Sequence, residues 1–110
     1  MRREDDIAAG DLTQVIALYS PQHNASGDEI TGYTLIASGI PAKKEIRQGR
    51  ESQESGRIAS EQPVVWMIRY RTGLDEVAQL THAGSVYEVL AVEDPTGNRR
   101  KIEITTRAVR

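Results

Sequence analysis

Apolar residues in this chain recur at every second position, the spacing of strands that bury one face. The clearest case is residues 64–71, where Val64, Trp66, Ile68 and Tyr70 fall on one face and Val65, Met67, Arg69 and Arg71 on the other. A cation pair behind a bulky apolar row describes an antiparallel strand lying on a core. Upstream, residues 13–19 are β-branched and aromatic, and Pro21 is expected to stop them. Residues 21–29 gather Pro, His, Asn, Ser, Gly and Asp, the residues of turns. A second strand is expected from Ile30 to about Ser38, with Tyr33, Leu35 and Ala37 on one face and Thr34, Ile36 and Ser38 on the other. Gly39 and Pro41 would bend or end it.

Further on, residues 78–82 read as a short strand, Ala83-Gly84 as a tight turn and residues 85–92 as a longer strand. Asp94-Pro95-Thr96-Gly97-Asn98 is a hairpin loop in composition, with Pro fixing φ and Gly admitting positive φ. Residues 101–107 alternate through Ile102 and Ile104 and form the last strand. Trp66 is expected to pack against Leu35, Leu90 and Ile104. Residues 43–62 break the pattern, being polar and charged with only Ile46, Ile58 and Ala59 as apolar anchors. They read as a long mobile surface loop between the second and third strands. The alternative for part of it is a short helix over residues 50–58, which Gly49 and Gly56 weaken. The pattern gives an all-β class: a small antiparallel β-barrel or sandwich spanning 1–110 as a single domain, with residues 1–9 as a flexible N-terminal segment.

Composition narrows this picture. A chain of 110 residues has room for one modest core, and Trp66 with four tyrosines supplies all its aromatic mass. A closed sheet would use so small a core well, because closure removes exposed strand edges. Cysteine is absent, which excludes disulfides, a thiol nucleophile and thiolate-held zinc. No apolar run approaches the roughly 20 residues needed to cross a bilayer, so no membrane partner is expected. The start, Met1-Arg2-Arg3-Glu4-Asp5-Asp6, lacks the apolar stretch of a signal peptide, which fits a cytoplasmic site of synthesis and assembly. A net charge of −2, evenly mixed, argues against a dedicated nucleic-acid binder. The strand faces show no large apolar patch, so the subunit alone is expected to be a monomer or to associate weakly.

Candidate chemistry is thin. Phosphate-loop and nucleophile-elbow motifs are missing, and His23 and His82 share no ligand spacing. His82 and Ser85 flank an Ala-Gly turn with no third group to orient them. Asp75-Glu76 and Glu93-Asp94 are adjacent loop acids, whereas catalytic pairs need opposed placement around a cleft. No catalytic residue, metal site or cofactor is expected.

Several landmarks, in order, resemble the phage head–tail joining (head-closure) family. Ala9-Gly10-Asp11-Leu12 leads into the first strand as the family's entry does, and Gly49-Arg50-Glu51 is similar to its Gly-Arg-Glu element. Ile68-Arg69-Tyr70-Arg71-Thr72-Gly73-Leu74 lies close to the family's third-strand motif. His82-Ala83-Gly84-Ser85-Val86-Tyr87-Glu88-Val89 and Asn98-Arg99-Arg100-Lys101-Ile102-Glu103-Ile104 resemble its last two strands. The chain departs from the family pattern in its few aromatics, in Tyr33 where a Trp is common, and in its acidic start.

The resemblance implies a structural component of a tailed-phage or prophage neck. It would be a small barrel forming a ring between the portal or connector adaptor and the tail-completion protein, closing the head while double-stranded DNA passes through. In some relatives the loop corresponding to residues 43–62 enters the channel. Arg50, Glu51, Arg57, Arg69 and Arg71 are the expected assembly or partner contacts. Two other classes compete. A generic small-barrel module for protein or single-stranded nucleic acid would need stacking aromatics beside cations, for which only Tyr70 and Tyr87 near Arg69 and Arg71 qualify. An enzyme would need a site that the sequence does not offer.

Overall fold

The computed structural model describes Gly10, residues 12–46 and residues 63–109. Six strands follow in order: β1 (Gln14–His23), β2 (Ile30–Ile46), β3 (Val64–Arg69), β4 (Gln79–His82), β5 (Ser85–Glu93) and β6 (Lys101–Ala108). All pairings are antiparallel, and the sheet closes as a barrel in the order β1-β2-β3-β6-β5-β4. Closure settles the choice between barrel and sandwich.

The core lies inside the closed sheet. Ile16, Leu18, Ile40, Ala42, Val64, Trp66, Ile68, Leu80, Tyr87, Ile102 and Ile104 point into it, and Leu74 and Val77 plug it from the β3–β4 connection. Trp66 is wholly buried beside Ile104, its partner in the β3–β6 register. Tyr87 meets its ring edge-on at 5.3 Å and the His82 ring lies tilted at 4.9 Å. Lys44, the ladder partner of Trp66 on β2, brings its Nζ to 5.6 Å from the indole centroid, a cation–π approach. Val65, on the opposite face between Glu45 and Thr105, is buried too.

Both of the prolines expected to end strands lie inside them. β1 runs through Pro21 to His23, and β2 runs through Gly39 and Pro41 to Ile46, so Lys43–Ile46 pairs with β3 as strand. The reason is position. β1 pairs with β4 only over Ala17–Tyr19, and β2 pairs with β3 only from Lys43, so each proline sits where its strand has one ladder neighbour. An edge tolerates a missing N–H. Gly39 has φ +66° and stands with Ser38 opposite the single residue Ala17, a bulge that bends β2 where a strand end was expected. The rest of the expected loop, residues 47–62, lies outside the described residues, as does the expected N-terminal segment 1–9.

Two more bulges correct the expected core. Ile36 is the extra residue between the Leu18–Ala37 and Tyr19–Leu35 pairs, so it and Ala37 pack on the core while Leu35 turns outward, 52% exposed. Leu90 is the extra residue between Val89–Thr106 and Ala91–Thr105, and it is 52% exposed as well. Trp66 therefore packs with Ile104 as expected, but Leu35 and Leu90 belong to the outer surface. One bulge shifts every later side chain to the other face.

Candidate assembly surfaces

The hairpin of β1 and β2 reaches past β4 and carries an outer face of its own. Tyr19 lies directly opposite Leu35, and Pro21 directly opposite Tyr33, so four apolar side chains form a cross-strand block. Tyr33 and Leu35 are exposed, as is Ile30 nearer the tip. Ile30 and Tyr33 also line a hollow of about 500 Å³ with Tyr87, Val89 and the exposed Val109. This patch was not expected from the strand faces. The sequence carries no local signal for it, since register alone places Tyr19 beside Leu35.

The hairpin tip is acidic and internally braced. The Asn24 Oδ1 accepts from the Gly27 N–H at 2.8 Å and the Asp28 N–H at 3.3 Å, while its Nδ2 donates to the Asp28 carboxylate at 2.9 Å. The Ser26 hydroxyl also donates to Asp28, at 2.8 Å. Hydrogen bonds from Asn24 and then Ser26 hold the Asp28 carboxyl below its usual range, since both favour the charged form. Asp28 and Glu29 are both exposed, so the tip presents two carboxylates.

A second surface forms at the other end of β1. Leu12, Ile40, Pro41, Arg69, Tyr70 and Arg71 line an apolar-floored hollow of about 230 Å³. Of the expected contact residues, Arg69 and Arg71 meet here, both exposed, and Arg50, Glu51 and Arg57 lie outside the described residues. Arg69 stands directly opposite Lys101, and two positions along β6 Glu103 stands opposite Glu93. Arg69 and Lys101, like charges face to face across a ladder, disfavour the isolated fold. Arg71 and Tyr70 also border a polar hollow of about 400 Å³ with Asp75, Glu93, Asp94 and Arg99.

Of the remaining candidates, Asp94 and His82 make structural hydrogen bonds. The Asp94 carboxylate accepts from the Gly97 N–H at 3.1 Å and the Arg99 N–H at 2.9 Å, bracing the β5–β6 turn in which Arg99 has φ +60°. The Nε2 of His82 is engaged by Gln14 Oε1 at 2.7 Å, not by Ser85, which faces it only through the β4–β5 ladder. Tyr87 is buried in the core and offers no open ring face for base stacking, while Tyr70 is half-buried against the core. Among the described residues, no group of three or more His, Asp or Glu could hold a metal ion.

Comparison with known proteins gives three results. A family model described as phage head completion protein matches residues 7–109. The solution structure of a structural-genomics target from Shigella flexneri 2a is similar in fold, with a TM-score of 0.54 and 24% identity, covering 93% of this chain and 96% of that one. No curated protein matches the sequence.

Proposed function

The chain belongs to the phage head completion protein family, and from that membership we propose that it forms a ring in the neck of a tailed phage or prophage. The ring would sit between the portal or its adaptor and the tail-completion protein, sealing the filled head while leaving a channel for DNA. The observation that carries this reading is the family match, which spans residues 7–109 of a 110-residue chain. The family's role is structural and lies in the phage head.

Physical features of the subunit support the finer reading. A ring built head to tail uses two unlike surfaces on each copy. This barrel carries an apolar, acid-tipped hairpin at one end of β1 and a cation-rimmed hollow at the other. Along the outer face of β6 the cationic pair Arg69–Lys101 is followed by the acidic pair Glu93–Glu103 and the ion pair Glu88–Arg107, so DNA in a channel lined by such a face would find phosphate contacts without a continuous basic track to hold it. Arg50, Glu51 and Arg57 are proposed partner contacts, with Arg69 and Arg71 at the hollow. Assembly would take place in the cytoplasm of the bacterial host, and the finished protein would reside at the head–tail interface.

The test is a phage deleted for this gene. DNA-filled heads that carry portals but neither hold their DNA stably nor accept tails are expected, with joining restored by adding the purified protein. Normal infectious yield without the protein would overturn the reading. So would a block before DNA packaging, which would place the protein earlier in head assembly.

A further inference from the structure

We propose that the acidic tip of the β1–β2 hairpin of one subunit seats in the Arg69–Arg71 hollow of the next copy, making the ring seam head to tail. The inference rests on the ring reading above and assigns its contact surfaces. Charge is complementary: Asp28 and Glu29 at the tip face outward as carboxylates, and Arg69 and Arg71 rim the hollow as guanidiniums. A guanidinium fork pairs well with a carboxylate. Apolar surface is complementary too. Ile30 and Tyr33 stand exposed just behind the tip, and Leu12, Ile40 and Pro41 form the hollow's floor, with room for one large side chain.

Among the described residues, Arg71 borders the polar hollow that holds Asp75, Glu93 and Asp94, whereas Arg69 faces a cation across the ladder. Arg69 lies directly opposite Lys101 with no carboxylate between them in the ladder. Acids delivered by a neighbour would relieve that repulsion, while a cationic or neutral partner would not. Tip and hollow also lie at opposite ends of the ten-residue β1, roughly 33 Å apart, so one subunit cannot satisfy its own hollow with its own tip. Two unlike surfaces held at a fixed spacing generate a closed ring when the rotation between copies permits.

Two charge-reversed variants test the seam. The hollow variant carries Arg69→Glu and Arg71→Glu. The tip variant carries Asp28→Asn and Glu29→Lys, which keeps the acceptor that Asn24 and Ser26 use. Each alone would confront like charges at every seam, so self-association in sedimentation experiments and copies retained per purified portal-bearing head should each fall about tenfold or more. Mixed in equal amounts, the two variants present acid to base at every seam, and both readouts should return to near the wild-type level. Rescue on mixing also shows that both variants are folded. A mixture no better than either variant alone overturns the seam. If wild-type protein still loads in multiple copies per portal, the ring reading survives that result, and if a single copy loads, both fail.

Discussion

Trp66 and Thr106 are joined by a buried hydrogen bond, indole N–H to hydroxyl at 3.0 Å, between the neighbouring strands β3 and β6. The hydroxyl then donates to the Val64 carbonyl at 2.7 Å, so the one fully buried polar side chain of the described core spends both of its hydrogen-bonding roles on β3. Replacing Thr106 with Val keeps the shape and orphans the indole N–H. An unsatisfied buried donor costs about 1–3 kcal/mol, and urea denaturation should register a loss of that size. Trp66→Ala, which also empties the centre of the barrel, should cost about 3–5 kcal/mol. Native fluorescence should be blue-shifted and poorly quenched by iodide, since Trp66 is the only tryptophan and has no exposed surface.

Gly39 should tolerate side chains poorly even though nothing stands in their way. An added Cβ would meet no atom within 4 Å, so the penalty is conformational alone, set by φ +66°. Gly39→Val should lose about 1–2 kcal/mol by thermal melting, and Gly39→Asn clearly less, because Asn enters the left-handed region more readily. Equal losses for the two would mean that packing, not φ, governs the position.

Arg69 should show a trade-off between folding and assembly. Because it faces Lys101, Arg69→Glu in the isolated subunit is expected to raise stability by about 0.2–1 kcal/mol, through a cross-strand ion pair in place of a repulsion. A melting temperature that falls instead would mean that Arg69 already has a compensating partner.

The exposed pair Arg107–Glu88, at 2.6 Å on the outer face of β6 and β5, should matter little. Both side chains are about half exposed, and such pairs contribute roughly 0–1 kcal/mol. A double-mutant cycle with Arg107→Ala and Glu88→Ala, read by denaturation at low and high salt, checks this.

Arg50 and Glu51 are expected to serve assembly. Reversing both, Arg50→Glu with Glu51→Arg, should change stability by no more than about 0.5 kcal/mol. The same variant should fail to complement a phage lacking the protein, giving full heads without tails. A large drop in melting temperature would assign these residues to the fold.

The strands with a clean alternation were legible from the sequence. Val64, Trp66 and Ile68 on β3, and Ile102 and Ile104 on β6, point where the period of two puts them. What the sequence concealed was which residues a bulge takes out of step. Nothing in the local composition around Leu90 or Ile36 separates an extra residue from a paired one, because that depends on the partner strand. Pro21 and Pro41 misled for a related reason: a proline ends a strand only if a neighbour needs its N–H, and neighbours are set by topology. The same blindness hid the hairpin patch, since Tyr19 and Leu35 are adjacent through register alone. Arg69 and Arg71 could be singled out by alternation, but their meeting with Leu12 and Pro41 could not.

β2 is a single strand of seventeen residues that begins at the hairpin tip and ends within the barrel wall beside β3. No turn interrupts it, and its one break in regularity with positive φ is Gly39. Its two halves have different neighbours, with residues up to Ala42 held by β1 and residues from Lys43 held by β3. A load on Ile30 from an adjoining body would enter the β1 ladder first and reach the pairing with β3 only past Gly39.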